Sequence, residues 1–246
     1  MILELDVGNS RIKWRRIEAD HGAVLTEGVA ADLDELIAGP VSSERPAMLR
    51  FCSVRDEEIA NKLKQWAAVS FGLEARQARV QRQCAGVSNS YQDLGRLGVD
   101  RWLAMLAAYN RKQQACLIVD SGTALTIDAV DSAGQHLGGY ILPGWQLMAG
   151  ALEANTRIRL QHRQEPENLE LGHGTEAAVL NGAVAALVSL VEKVQRQVRQ
   201  EAEPVTLYLA GGDAQLLAGA LNSEQVELVS GLVMDGLAYA CPAIDQ

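Results

Sequence analysis

Four cysteines in 246 residues, Cys52, Cys84, Cys116 and Cys241, have no spacing that a metal site would use. They are scattered, and two lie in apolar strand-like runs, so a disulfide scaffold is not expected and a reduced, cytoplasmic setting is the simpler reading. No GxxxxGK[ST] loop is present, which argues against a P-loop kinase. Basic residues are few: 22 Lys and Arg stand against 31 Asp and Glu, a net charge of −9. That balance argues against nonspecific binding to nucleic acid or to an anionic membrane. Apolar runs are all interrupted. Glu4 and Asp6 break the first, so no signal peptide is expected. Asn181, Gly182, Ser189 and Glu192 break the stretch 177–194, which reads as a buried helix rather than a membrane span. The four histidines, His21, His136, His162 and His173, share no spacing, and no role is expected for them.

What remains is an ordinary globular composition, 48% apolar and 22% charged, in a length that suits one large or two small domains. Two aspartate-glycine turns organise it. The first reads Ile2-Leu-Glu-Leu-Asp6-Val7-Gly8-Asn9-Ser10-Arg11-Ile12-Lys13. The second reads Cys116-Leu-Ile-Val-Asp120-Ser-Gly122-Thr123-Ala-Leu-Thr-Ile-Asp128. Each is a short apolar strand ending in an aspartate, a glycine two residues on, and a second strand leaving the bend. The chain therefore reads as two related halves, 1–113 and 114–246. Such a bend suits phosphate and metal together. Glycine lets the backbone approach a ligand, and successive N–H groups form an anion nest. A carboxylate at the strand end can hold a hydrated cation that meets the phosphate oxygens. The plainer reading of either copy alone is a hairpin with turn-forming Asp and Gly.

Between these turns the spacing predicts strands over 2–7, 10–18, 23–29 and 47–54, an edge strand over 73–80, and helices from Asp32 and from Asp56. The stretch 81–99 is polar, glycine-containing and aperiodic, and loops of that length are often functional. A nearly all-apolar helix starts at Trp102, and Asp100 lies near its N-cap, where capping and catalysis are equally open roles. Later come strands over 115–120, 123–130 and 135–142, a helix over 145–155, a polar segment over 156–173, and a long helix from Thr175 to about 200. The strand 206–210 ends in Gly211-Gly212-Asp213, a turn against which a flat ring could lie. A strand over 226–229 and a helix over 231–240 close the chain.

Three strand-end turns, at Asp6, Asp120 and Gly211-Gly212, follow the layout of the actin, sugar-kinase and heat-shock ATPase superfamily. That resemblance implies an α/β fold of two ribonuclease H-like (actin-like ATPase) domains with a nucleotide cleft between them. Within the superfamily the chain closely resembles type III pantothenate kinase, nearly end to end. Asp6-x-Gly-Asn-Ser-x-x-Lys13 resembles the family's first phosphate motif, with serine where threonine is commoner. Gly98-Val99-Asp100-Arg101, with Tyr91 upstream, resembles the pantothenate motif. Asp120-Ser-Gly-Thr-Ala-x-Thr-x-Asp128 resembles the second phosphate motif. Gly138-Gly-Tyr-Ile-x-Pro-Gly144 and Gly211-Gly-Asp213 resemble the later glycine motifs, the last near adenosine. Thr175 matches a threonine that reaches pantothenate from the partner subunit.

The resemblance implies ATP-dependent phosphorylation of pantothenate to 4′-phosphopantothenate, which opens coenzyme A synthesis. It also implies a homodimer with the active site near the interface, Mg²⁺ with the ATP, and a monovalent cation, K⁺ or NH₄⁺. On that reading Asp100 is the base, and Tyr91, Gly98, Val99, Arg101 and Thr175 bind pantothenate. Residues 6–13 with Thr123, Gly211 and Gly212 bind ATP, Asp6 holds Mg²⁺, and Asp120 holds the monovalent cation. Lys13 could instead be a solvated strand lysine, and Arg101 a structural ion-pair partner of Asp100. Two competing functions stay open: a nucleotide-sensing regulator that has lost transfer, and another small-molecule kinase or phosphohydrolase of the superfamily.

Overall fold

The computed structural model describes residues 1–199, 204–222 and 225–243. The chain forms two compact units. Unit one comprises Met1–Ala85, Tyr91–Ala107 and Leu232–Gln246; unit two comprises Gly86–Ser90 and Ala108–Gly231. The expected division at 113/114 separates the two large sheets in sequence, but the units exchange pieces across it. The C-terminal helix belongs to unit one, and a five-residue piece of the polar loop belongs to unit two.

Unit one is built on β1 (Ile2–Val7), β2 (Ile12–Ile17), β3 (Val24–Ala30), β4 (Met48–Ser53) and β5 (Arg76–Gln77), in the order β3-β2-β1-β4-β5. β1, β2 and β3 form an antiparallel meander, and β4 and β5 add on in parallel. β1 is central and nearly all buried, as its apolar run requires. Two helices begin where the sequence places their caps. Asp32 accepts from the Glu35 amide at the start of α1 (Leu33–Ala38). Asp56 does the same for Ile59 at the start of α2 (Glu57–Phe71). α2 buries Ala60, Leu63, Trp66, Ala67 and Phe71 against the sheet core, with Ile59 partly buried beside them. The expected edge strand over 73–80 is only the two residues of β5. The loop that follows holds two more two-residue strands, β6 (Gln83–Cys84) and β7 (Val87–Ser88). Next comes α3 (Val99–Lys112), which starts three residues earlier than its apolar run suggests.

Unit two carries β8 (Cys116–Ser121), β9 (Ala124–Val130), β10 (His136–Pro143), β11 (Thr206–Ala210) and β12 (Val226–Leu228). Their order is β10-β9-β8-β11-β12, the topology of unit one strand for strand. Again three strands meander and two join in parallel. The duplication read from the two turns is thus a duplication of whole sheets. α4 (Trp145–Asn155) matches its expected span, and α5 (Thr175–Val198) matches as far as the described residues go, since residue 200 lies outside them. α5 is long and apolar enough to span a bilayer by composition alone. It instead buries Leu180, Val184, Leu187 and Val191 with Trp145 and the strands of unit two. α6 (Ala214–Ala220) follows the glycine turn, and α7 (Leu232–Ala240) returns to unit one.

A buried charge network ties α7 to the unit-one sheet. Glu4 is fully buried and takes hydrogen bonds from Arg15 Nε and from Arg50 Nε, the latter at 2.7 Å. Arg15 Nη1 also reaches Asp235 on α7 at 2.8 Å, and Arg50 Nη1 reaches the Cys241 carbonyl at 3.1 Å. Gly236 lies so close to the Leu103 backbone that a Cβ there would collide with it.

Candidate active site

Asp6 is the half-buried penultimate residue of β1, opposite Lys13 on β2 in the antiparallel register. Between them the turn closes through Gly8 N–H to Arg11 carbonyl at 3.1 Å, and leaves Asn9, Ser10 and Arg11 exposed. Arg55, which sequence reasoning passed over, braces this turn by donating from Nε to the Gly8 carbonyl at 2.7 Å. Beside it, the buried Cys52 thiol donates to Asp6 Oδ1 at 3.5 Å. Burial pushes the Cys52 thiol well above its usual range, and the charges of Asp6 and Asp100 push it further. Of the two carboxylates, Asp6 is the one in contact with the sulfur. Cys52 gave no signal in the sequence beyond lying in an apolar strand.

Asp100 occupies the first turn of α3, not its cap. Its Oδ1 accepts from the adjacent Arg101 amide at 2.8 Å, rather than from an amide two or three residues on, as a capping carboxylate would. Gly98 packs directly against this carboxylate, and a Cβ there would run into Asp100 Oδ1. Replacing Gly98 by Ala should therefore turn the carboxylate aside. The expected result is a folded protein with kcat lowered by about 10-fold or more, since misplacement by ~1 Å can cost 10²-fold. Steady-state kinetics beside a thermal melt would check it.

Arg101 is 5% exposed, and its Nη1 donates to the Tyr91 hydroxyl at 3.1 Å. Its guanidinium carbon lies 5.8 Å from the centre of the Tyr91 ring, a cation–π distance. Arg82, another residue missed from sequence, donates to the carbonyls of Tyr91 at 2.6 Å and Gln92 at 3.0 Å. Tyr91, Gly98, Val99, Asp100 and Arg101 are thus gathered in unit one with Asp6.

In unit two, Asp120 is the half-buried penultimate residue of β8. Thr123 is exposed in the bend after it, which Gly122 closes by donating to the Ala124 carbonyl at 3.0 Å. Gly211, at φ +92°, presses on Ser121 and Asp120, so closely that any Cβ would meet the Ser121 carbonyl and Asp120 Oδ1. The bend and the glycine turn are further locked by Asp213 N–H to Ser121 carbonyl at 3.0 Å. Burial pushes the Asp213 carboxyl above its ordinary range. Beside the turn is a cavity of about 440 Å³ lined by Leu209, Ala210, Gly211, Gly212, Leu228 and Ser230. Apolar walls and open glycine backbone suit a flat heterocycle. A larger hollow of about 630 Å³ lies along 164–174 and the start of α5, with Glu165, Glu167, Glu170 and Glu176 in its wall. Four carboxylates make it a poor host for a polyphosphate. Thr175 is exposed at the first position of α5, in unit two, apart in sequence and unit from the Tyr91 group.

Asp128, the last residue of the second motif, is 2% exposed and is held by His136 Nε2 at 3.0 Å. His136, for which no role was expected, is itself 1% exposed and takes part in a built contact. A carboxylate and an imidazole facing each other across the turn Asp131–Gly134 were the available signal.

No cluster of three or more His, Cys, Asp or Glu side chains able to hold a metal occurs among the described residues. A single carboxylate at each strand end still fits a cation carried in on phosphate oxygens, because Mg²⁺ keeps several waters and needs only one or two protein oxygens.

Two sheets of one topology, each ending its first strand in an acidic bend, define a protein of the actin-like, two-domain nucleotide-binding class. Solved structures agree on the fold. One is a Campylobacter jejuni structure described as a conserved putative Baf family transcriptional activator. It has a TM-score of 0.62 and 20% identity, and the match covers 95% of this chain and 94% of that one. Another is a putative 2-dehydro-3-deoxygalactonokinase from Sinorhizobium meliloti, with a TM-score of 0.54 and 15% identity over 97% of each chain. The family model described as Type III pantothenate kinase matches residues 2–197. Curated relatives of that name from Pseudomonas putida F1 and Ectopseudomonas mendocina ymp are 42% and 40% identical, covering 98% of this chain and 99% of theirs. The chain belongs to the type III pantothenate kinase family.

Proposed function

We propose that this protein is the kinase its family name describes: it transfers the γ-phosphoryl group of ATP to the primary hydroxyl of pantothenate. The product is 4′-phosphopantothenate, and the step opens coenzyme A biosynthesis. The observation that carries this reading is the family match over residues 2–197, with Asp6 at the first strand-end turn and Asp100 at the start of α3 both lying in unit one. A phosphate-side carboxylate and a second carboxylate placed for an alcohol are what in-line phosphoryl transfer needs, because such catalysis is mostly positioning and charge stabilisation.

Asp100 accepts the proton of the pantothenate hydroxyl as it attacks. Arg101 pairs with the substrate carboxylate through its guanidinium fork, and Tyr91 covers the chain of the substrate. Val7, Gly8, Asn9, Ser10, Arg11, Ile12 and Lys13 cradle the phosphates with Thr123, and Gly211 and Gly212 lie against adenosine. Asp6 holds Mg²⁺ and Asp120 a monovalent cation, K⁺ or NH₄⁺. Bound there, these ions neutralise charge on the phosphates. The protein works as a cytoplasmic homodimer in which Thr175 reaches pantothenate from the neighbouring subunit.

The test is coupled ADP release. Turnover should require pantothenate and Mg²⁺ and should stop in excess chelator. ADP release without pantothenate would favour a phosphohydrolase. Nucleotide binding with no turnover would favour a regulator, and faster turnover on another alcohol in a substrate panel would name a different kinase.

A further inference from the structure

Residues Gly86–Ser90 leave unit one, join unit two, and hand the chain back at Tyr91. Four contacts within unit two hold this short piece. Ser88 N–H donates to the Gly134 carbonyl at 2.8 Å, and Gln135 Nε2 donates to the Ser88 carbonyl at 3.3 Å. Gly134, at φ +79°, approaches Gly86 so closely that a Cβ would strike the Gly86 carbonyl. Finally, Ser90 Oγ lies 3.1 Å from His136 Nδ1, whose Nε2 lies 3.0 Å from Asp128 Oδ1. In the neutral tautomer whose Nε2–H donates to the buried Asp128 carboxylate, Nδ1 is the acceptor for the Ser90 hydroxyl. His136 and Asp128 are almost wholly buried, whereas Ser90 is exposed. The relay thus runs from the core of unit two to a surface residue whose next neighbour is Tyr91. On the other side, Arg82 grips the carbonyls of Tyr91 and Gln92.

We infer that Asp128, His136 and Ser90 are positioning residues for pantothenate binding: the relay pins the peptide that precedes Tyr91 and so sets the Tyr91–Arg101 pair. This rests on the pantothenate reading above. The three residues touch no reacting atom. They fix one end of the Tyr91 segment as Arg82 fixes the other. Ser90 and His136 lie outside the two phosphate motifs and the Gly98–Arg101 motif, so phosphate binding and the chemistry at Asp100 should not depend on the bond between them.

Two variants test it without emptying the core. Ser90→Ala removes only the exposed end of the relay. His136→Gln keeps a donor for Asp128 and loses the acceptor for Ser90. Each should raise the KM for pantothenate by about three- to tenfold, the worth of one hydrogen bond. The kcat and the KM for ATP should stay within about twofold, and the Ser90→Ala melting temperature should be unchanged. His136→Asn places an acceptor near the Nδ1 position and should recover part of the pantothenate KM relative to His136→Gln. Amide exchange at Tyr91 should quicken by a similar factor in Ser90→Ala. Unchanged pantothenate KM in both variants, or equal losses in both substrates' KM and in kcat, would overturn the inference. An inactive wild-type protein would instead sink the kinase reading, and the exchange rate at Tyr91 would then decide the pinning by itself.

Discussion

Asp100→Asn should lower kcat by about 10²–10⁴-fold while leaving binding of ATP and pantothenate nearly intact. The asparagine has the shape of the carboxylate and can still accept from the Arg101 amide, so the start of α3 is undisturbed. What is lost is a group able to take a proton. A nucleotide-binding titration beside coupled kinetics would check both halves of the expectation. Normal turnover would remove Asp100 from the chemistry. Failure of both substrates to bind would make it a structural residue of the α3 turn.

Glu4→Gln should strongly destabilise the unit-one sheet. Glu4 is 0% exposed, and both Arg15 and Arg50 are directed at it. Removing its charge takes from the buried Arg50 its carboxylate partner and leaves Arg15 with Asp235 alone, and breaking such a buried pair costs about 3–5 kcal/mol. At roughly 2–4 °C per kcal/mol for a chain of this size, the midpoint should fall by roughly 6–20 °C. A thermal melt would read it. Replacing Lys62, whose partner Glu58 is exposed one helical turn away, should shift the same midpoint by under about 2 °C, because surface pairs contribute little. Equal shifts for the two variants would mean the buried network has no special weight.

Most of the architecture was legible because strand and helix signals here are local. Asp32 and Asp56 cap the helices they precede, and the apolar runs ending in Asp6 and Asp120 are the central strands of their sheets. Position 100 was legible as a motif but not as a place: α3 begins at Val99 because Val99 to Arg101 are compatible with a helical turn, which the apolar pattern from Trp102 cannot announce. Long-range bracing was not legible. Cys52 and Arg55 act on atoms far along the chain, Arg82 reaches across its own aperiodic loop, and a lone thiol or guanidinium carries no periodicity. His136 was dismissed because histidines were compared with one another, whereas its partners are a carboxylate and a hydroxyl from different elements. The boundary at 113/114 followed the repeat of the two turns. Contacts made by the tail and by residues 86–90 cut across that repeat, and nothing local records them.

The return of α7 to the first sheet reverses the order of birth and completion. Unit two takes no residue beyond Gly231, whereas unit one, although its strands leave the ribosome first, takes Asp235 and the Cys241 carbonyl into its charge network. Until then Arg15 lacks its second carboxylate and the Leu103 backbone lacks Gly236 against it. The half whose strands come first in the chain is thus closed by a helix that follows every element of the other half.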